Sequence, residues 1–146
     1  MTRAEAIAPG DKVHVFPLRV YYEDTDAAGI VYYANYLKFA ERSRTEMLRA
    51  VGLTNPGLRA GADLGFIVRR CHADFHEPAR LDDQLEVHTR ITRLGGASIE
   101  AEQLVTRASD ELARMDVKVA CVNAKGRPTR MSRPLRTALA TYLRTG

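Results

Sequence analysis

The stretch VYYANYLKFAERSRTEMLRAV, residues 31–51, decides the fold because it carries a long helical repeat. On a helical wheel its apolar side chains fall on one broad face and most of its charged side chains on the other. Arg44 falls within the apolar face, so we expect its side chain to extend to the edge of that face. Gly52 follows the last apolar residue, where glycine favours a helix end. The apolar face consists of Tyr33, Tyr36, Leu37, Phe39, Ala40, Met47, Leu48, Ala50 and Val51. A face this wide predicts a helix that packs against a large apolar surface.

Alternating apolar and polar residues predict five strands, one before the helix and four after it. Pro17 in the first strand indicates a sheet edge or a bulge. Gly95-Gly96 and Ser109-Asp110 predict short hairpin connections between the last three strands. A loop is expected over residues 54–65 and a short terminal helix over 134–144. The expected strands cover residues 13–22, 66–76, 85–94, 97–107 and 112–123.

These elements predict an α+β fold in a single domain that spans residues 1–146. Short hairpins force neighbouring strands to pair antiparallel. A sheet of about five strands with one apolar helix is expected to pack around that helix. One helix leaves part of the sheet and its edges uncovered, which favours a homo-oligomer.

Composition excludes several classes of protein. The 146 residues have a net charge of +4 and are 45% hydrophobic, as expected for a globular domain. Residues 127–146 contain five arginines and no acid, so residues 1–126 sum to −1, which argues against nucleic-acid binding by the fold itself. Cys71 and Cys121 lie in expected strands and are predicted to be buried thiols of a reducing compartment. Without an apolar leader or a membrane span, we expect a cytoplasmic protein.

The turn over residues 23–29 is the most unusual place in the sequence. Asp24 and Asp26 precede Gly29 and the start of the long helix. Aspartate is common in turns and near helix starts for hydrogen bonding alone, so a purely structural role remains open. A helix start also offers unpaired N–H groups that can polarise a carbonyl oxygen. A nearby carboxylate could then attack the carbonyl carbon or activate a water molecule.

Other candidate sites are less specific. His72, Asp74 and His76 alternate on a predicted strand, where a zinc site is possible but a half-exposed polar face is the simpler interpretation. The sequence contains no phosphate-binding glycine loop and no GxSxG motif. Because a polar strand face is the simpler interpretation of His72, Asp74 and His76, no metal site is expected.

Three stretches resemble the hotdog-fold acyl-CoA thioesterases. They are VYYEDTDAAGIVYYANY at residues 20–36, ERSRTEML at 41–48 and EPARLDD at 77–83. The chain is most similar to the bacterial YbgC-like subgroup, associated with the Tol–Pal system, and to its relatives, the 4-hydroxybenzoyl-CoA thioesterases. The resemblance implies a hotdog fold, in which an antiparallel sheet wraps around one long helix. It also implies hydrolysis of acyl-CoA thioesters without a metal or cofactor, in a homodimer or homotetramer with sites at the subunit interface.

The resemblance assigns roles to residues of the first motif. The catalytic acid falls on Asp26, acting as nucleophile or general base, and the amide that polarises the carbonyl falls on Tyr33. Asp24 is expected to shape the turn. At the position that corresponds to residue 33, members of the YbgC-like subgroup often have histidine. This chain has Tyr33, and the hydroxybenzoyl-CoA enzymes also have tyrosine there. The backbone amide is the same in both cases. We also assign Tyr22 and Gly29 to substrate binding.

The CoA phosphates require cations, and the relatives place these near the turn between two central strands. This chain has only Arg93 beside that turn, so Arg69, Arg70 and Arg127 are further candidates. Acyl-CoA is the expected substrate, and acyl-carrier protein is a second candidate partner. Two alternatives remain: a hotdog hydratase or dehydratase, which would need a histidine soon after Asp26, and a non-catalytic acyl-carrier or scaffold protein that docks through its basic tail.

Overall fold

The computed structural model describes residues 12–53 and 64–145, and its elements follow the predicted order. A strand, β1, precedes the long helix α1, and four strands and a short helix, α2, follow it. Short 3-10 helices cover Tyr22–Asp24 and Ala140–Tyr142. The strands are β1 (His14–Arg19), β2 (Gly65–Phe75), β3 (Gln84–Leu94), β4 (Ser98–Arg107) and β5 (Asp110–Val122), and the helices are α1 (Asn35–Ala50) and α2 (Arg133–Leu139).

The five strands form one antiparallel sheet in the order β1-β3-β4-β5-β2, which confirms the predicted fold class. Pro17 lies in β1, which is an edge strand as predicted. The two hairpins form where expected, but each tip lies one residue away from the predicted position. The Gly95 N–H donates to Ser98 O, and Arg107 pairs with Asp110. The tips are therefore 96–97 and 108–109.

The core lies between α1 and one face of the sheet. Tyr36, Phe39 and Met47 of α1 are buried against strand residues such as Ile91 and Met115. Phe39 is fully enclosed, and burying such a ring stabilises a fold by about 2–3 kcal/mol. The sheet face that packs on α1 therefore fixes how the helix start is oriented, and the candidate site lies at that start.

A β-bulge in the edge strand β2 changes which side chains face α1. The register shifts between Val68 and Arg70, so Phe66 and Val68 face the helix before the bulge, and Cys71, Ala73 and Phe75 face it afterwards. Cys121 is buried as predicted, but the prediction for Cys71 is wrong because its thiol is exposed. An edge strand has no neighbour on its outer side, so a residue there stays open even when it faces the helix.

Helix boundaries differ from the predicted ones for local reasons. The α1 helix begins at Asn35 instead of about Val31, because the Val31 N–H donates to Ala79 O and Val31 bridges Thr25. The terminal helix ends at Leu139 and continues as a 3-10 turn. Within the described part of the chain, no helix has the length and apolarity to cross a membrane. Residues 54–63 of the predicted loop lie outside the described residues.

Candidate active site

The turn between β1 and α1 is held to the helix start through Asp24. Its carboxylate is only 8% exposed, and the Tyr21 N–H donates to Oδ2 at 2.8 Å. Its carbonyl oxygen accepts from the Tyr32 N–H at 3.1 Å and from Asn35 Nδ2 at 2.8 Å. Both the side chain and the carbonyl of Asp24 therefore stabilise the turn, and the residue is largely shielded from solvent.

Asp26 lies in a tight hairpin just beyond Asp24. The Asp26 N–H donates to Ile30 O at 2.9 Å, and the Gly29 N–H donates to Asp26 O at 2.9 Å. Gly29 has a φ of +80°, a left-handed conformation that favours glycine. The Asp26 carboxylate is exposed, and its Oδ1 accepts from the Ala28 N–H at 2.9 Å. No hydrogen bond to Oδ2 is found among the described residues, so this oxygen is available for chemistry.

Tyr33 lies immediately before the start of α1, and its N–H has no hydrogen-bond acceptor within residues 12–53 and 64–145. Apart from Ala34, the neighbouring donors are used. The Tyr32 N–H bonds Asp24 O, and the Asn35 N–H bonds Tyr32 O at 2.8 Å. Tyr36 and Leu37 continue with tight i→i−3 bonds at 3.2 Å. A helix normally leaves the N–H groups of its first turn unpaired. Here these groups are bonded, and the N–H groups without an acceptor among the described residues belong to Tyr33 and Ala34, just before the helix.

The two groups belong to one tightly connected unit. Asp26 is bonded to Ile30 and adjoins the Thr25–Val31 bridge, and Val31 leads directly to Tyr33. The helix dipole adds partial positive charge at this end of α1. An exposed carboxylate here can attack a carbonyl carbon. The Tyr33 N–H at the positive end of the helix can polarise the carbonyl oxygen.

Several aromatic rings cluster around the side chain of Tyr33. The Tyr33 ring is 60% exposed and lies 5.9 Å from Phe75 and 5.0 Å from Tyr32, measured between ring centroids. Tyr36 is buried below them, where its hydroxyl accepts from the Ala79 N–H at 2.9 Å; burial raises the pKa of this phenol. Tyr22 is almost fully exposed on the turn. The exposed rings provide an apolar surface next to the candidate site.

Two of the predicted phosphate-binding residues, Arg69 and Arg70, lie near the middle of β2. Arg69 and Arg70 line an open groove of about 560 Å³ together with Lys118, which the sequence analysis did not single out. Arg70 bonds Glu100 at 3.2 Å, whereas Arg69 and Lys118 form no ion pair with any described residue. Arg93 pairs across the sheet with Glu100 and belongs to the same cross-strand row, but it does not line the groove.

The histidines of β2 have separate partners. His72 Nε2 lies 3.4 Å from Asp74, and His76 Nε2 lies 3.0 Å from the buried Glu111. The residues that the structure covers include no group of three or more metal-ligating side chains.

Arg44 does not reach the edge of the helix face as expected. Its Nη1 donates to Gln103 Oε1 at 2.9 Å, and the guanidinium lies in a cavity between α1 and the sheet. Gln103 is fully buried, and its Nε2 donates to Ala40 O and to Thr89 Oγ1. Alternation placed Gln103 on the helix-facing side of β4, but periodicity alone could not show which helix residue it would meet.

Comparison with known proteins agrees with this architecture. The model of the thioesterase superfamily matches residues 28–114. The chain is 44% identical to the acyl-CoA thioesterase YbgC of Haemophilus influenzae over 124 residues, which cover 84% of this chain and 91% of that protein. It is 45% identical to the acyl-CoA thioester hydrolase YbgC of Escherichia coli O6:H1 over 109 residues, 74% of this chain and 81% of that one.

Solved structures support the same assignment. The crystal structure of a probable thioesterase from Bartonella henselae has 41% sequence identity and a TM-score of 0.77, and the match covers 83% of this chain and all of that one. The predicted hotdog fold and the predicted family are thus confirmed. The chain belongs to the thioesterase superfamily.

Proposed function

We propose that the chain hydrolyses acyl-CoA thioesters to the free acid and CoA, with Asp26 and the Tyr33 amide as the catalytic groups. The observation that carries the proposal is the Tyr33 N–H, a donor at a helix start without an acceptor among the described residues, held in one hydrogen-bonded unit with an exposed carboxylate. Membership of the thioesterase superfamily and the names of the relatives in H. influenzae and E. coli support the same reaction.

In the proposed mechanism the thioester carbonyl oxygen accepts a hydrogen bond from the Tyr33 N–H. This donor stabilises the negative charge that develops on the oxygen in the transition state. Asp26 then acts in one of two ways. As a nucleophile it forms a mixed anhydride while the C–S bond breaks, and water later hydrolyses the anhydride. As a general base it takes a proton from water, which attacks the carbonyl carbon directly. CoA leaves as a thiolate in both routes and needs no strong acid.

Arg69, Arg70 and Lys118 are the proposed contacts of the CoA phosphates. The three cations share one open groove, and only Arg70 is paired with a carboxylate there. Arg93 extends the row toward β3. An acyl-carrier protein would meet the same basic groove through acidic side chains. Tyr22 and Gly29 flank Asp26 in the turn, where we place the thioester end of the substrate.

We further propose a homodimer formed through β2, with a homotetramer of two such dimers as the larger alternative. β2 is an edge strand, and Val68, Phe75 and Leu37 expose apolar surface along it. Within one chain, Arg69 and Phe75 are six residues apart, about 20 Å along an extended strand. Two β2 strands paired antiparallel about a two-fold axis near residue 72 would bring Arg69 of one subunit opposite Phe75 of its partner. A substrate as long as CoA could then bridge both.

A panel of acyl-CoAs with short, long and aromatic acyl groups tests the proposal, with a thiol reagent to detect CoA. Release of thiol from one or more members is the expected result. Absence of release from every member would favour the non-catalytic carrier or scaffold. Consumption of an enoyl-CoA without release of thiol would favour the hydratase. Light scattering of the wild type and of Val68→Arg tests the assembly, because a charge at this exposed position should weaken pairing through β2.

A further inference from the structure

A cavity runs along α1 away from the proposed catalytic centre. It has a volume of about 230 Å³ and lies between the helix and strands β2 and β5. Leu37, one turn beyond Tyr33, lies at one end, Val68 and Met115 contribute apolar walls, and Arg44 lies at the other end. Leu37 is the lining residue nearest Tyr33 in the chain, so an acyl chain bound at the Tyr33 amide would enter this largely apolar space past Leu37.

Arg44 is unusual among the lining residues because it is a partly buried cation, whereas the charged Lys38 and Glu41 are exposed. It also lines a second, smaller cavity of about 30 Å³ near Met47. A guanidinium has five N–H donors. Only the bond from Nη1 to Gln103 is found in the part of the chain that the structure describes, and no described carboxylate lies within 4.0 Å of it. Burial lowers the pKa of Arg44, as expected for a cation removed from water.

Gln103 holds this guanidinium in place. Its amide is fixed at Nε2 by Ala40 O at 3.0 Å and by Thr89 Oγ1 at 2.9 Å, so Oε1 is directed at Arg44. Ser43 Oγ lies 3.0 Å from Thr89 Oγ1 and completes the network. Arg44 is thus oriented on a rigid support. Its remaining donors form a planar fork that matches the two oxygens of a carboxylate.

We propose that Arg44 is a specificity-determining residue that binds a carboxylate at the far end of the acyl group, so that medium-chain dicarboxylic acyl thioesters are preferred substrates. This inference rests on the proposed thioesterase function. Residues 33 and 44 are separated by about 16 Å along a helix at 1.5 Å per residue. Side chains lean toward the N-terminus of their helix, which shortens that span. A chain of medium length therefore reaches from the Tyr33 amide to the Arg44 fork.

Charge complementarity favours this occupant over a purely alkyl chain. Glu41 and Lys38 also line the cavity but are exposed on the outer side of the helix and are of opposite sign. Arg44 therefore gives the inner end of the cavity a positive charge. An alkyl terminus would leave its donors without acceptors, which is costly for a buried polar group.

The test compares substrate pairs of equal length with and without a terminal carboxylate: hexanoyl- and adipyl-CoA, octanoyl- and suberyl-CoA, decanoyl- and sebacyl-CoA. The wild type is expected to show a kcat/KM at least about tenfold higher for the carboxylate in one or more pairs, since hydrogen bonds to charged groups are the strong ones. In Arg44→Met that preference should fall tenfold or more. Arg42→Met, an exposed position on the same helix, is the matched control and should keep the wild-type ratio.

A wild type that prefers the alkyl substrate at every length would overturn the inference, and so would an unchanged ratio in Arg44→Met. If Arg44→Met does not fold, Arg44→Lys replaces it, because the charge remains and the planar fork is lost. If the wild type releases CoA from no substrate, the proposed function has failed instead. Calorimetric titration with suberate and octanoate then decides the inference alone: tighter binding of suberate supports it, and equal or weaker binding refutes it.

Discussion

Replacing the Tyr33 backbone amide by an ester tests whether this N–H polarises the substrate carbonyl. The change is made by incorporating the α-hydroxy acid analogue of tyrosine at position 33, which keeps the side chain, removes the N–H and makes the Tyr32 carbonyl a weaker acceptor for the Asn35 N–H. Loss of one donor of this kind lowers kcat by roughly 100- to 1000-fold in enzymes that stabilise an oxyanion. Stability should fall less than after the same change at a hydrogen-bonded N–H, because no described residue accepts a hydrogen bond from the Tyr33 N–H.

The same analogue at position 32 is the matched control. The Tyr32 N–H donates to Asp24 O at 3.1 Å, so the ester there removes an internal hydrogen bond that contributes about 1 kcal/mol. For a chain of this size such a loss lowers the melting temperature by roughly 2–4 °C. We therefore expect opposite patterns, with lost turnover at 33 and lost stability at 32. Thiol release and thermal unfolding measure them. A kcat within threefold of wild type for the ester at 33 would refute the role of the amide.

Three further predictions concern the scaffold. Burial alone would raise the pKa of Asp83, but hydrogen bonds from the Arg80 N–H and from Arg107 lower it below its ordinary value. The ionised carboxylate therefore stabilises the fold above the ordinary pKa, and this contribution is lost as the pH falls through the lowered one. Asp83→Asn should reduce the free energy of unfolding by about 1–2 kcal/mol near pH 7 and by progressively less in acid, measured by urea unfolding across pH. Gly29→Ala should lower the free energy of unfolding by about 1–2 kcal/mol, because alanine is strained at a φ of +80° even though a Cβ there would meet no atom within 4 Å; thermal unfolding measures the change. Glu102→Ala should lower the free energy of unfolding by about 3 kcal/mol, because this buried carboxylate forms ion pairs with Arg90 and Arg114; denaturant unfolding measures the change.

Local patterns were sufficient to predict the elements of the fold but not all of their pairings. The β3–β4 and β4–β5 hairpins follow from short turns, because strands joined by two residues have no other arrangement. The pairing of β1 with β3 and of β2 with β5 joins segments far apart in sequence, and no local signal specifies it. The family resemblance supplied the arrangement that periodicity left open.

The helix start shows why a boundary can be misjudged. Val31, Tyr32 and Tyr33 are apolar and continue the helical pattern, but their backbone groups have other roles. Val31 and Tyr32 donate to Ala79 O and Asp24 O. These tertiary bonds outweigh the local pattern and leave Tyr33 just outside the helix, where its N–H meets no acceptor in the described part of the chain.

Some parts of the candidate site can be predicted from local sequence, and others depend on tertiary contacts. The Asp26 turn is visible in the sequence because aspartate and glycine have defined places in tight turns. The grouping of Lys118 with Arg69 and Arg70 depends on the β2–β5 register and its bulge, which the sequence does not reveal. The inward direction of Arg44 depends on Gln103, a partner on a strand 59 residues further along the chain.

Hydrolysis of acyl-CoA by Asp26→Asn is the most direct test of the account. This variant keeps the size of the side chain and its Oδ1 acceptor for the Ala28 N–H, so the turn should persist. Glu23→Gln, which removes an exposed charge from the same turn, is the control. We predict that Asp26→Asn lowers kcat by roughly 100- to 10,000-fold with an unchanged melting temperature, while Glu23→Gln retains activity. Thiol release by Asp26→Asn at a rate near that of the wild type would contradict the central claim.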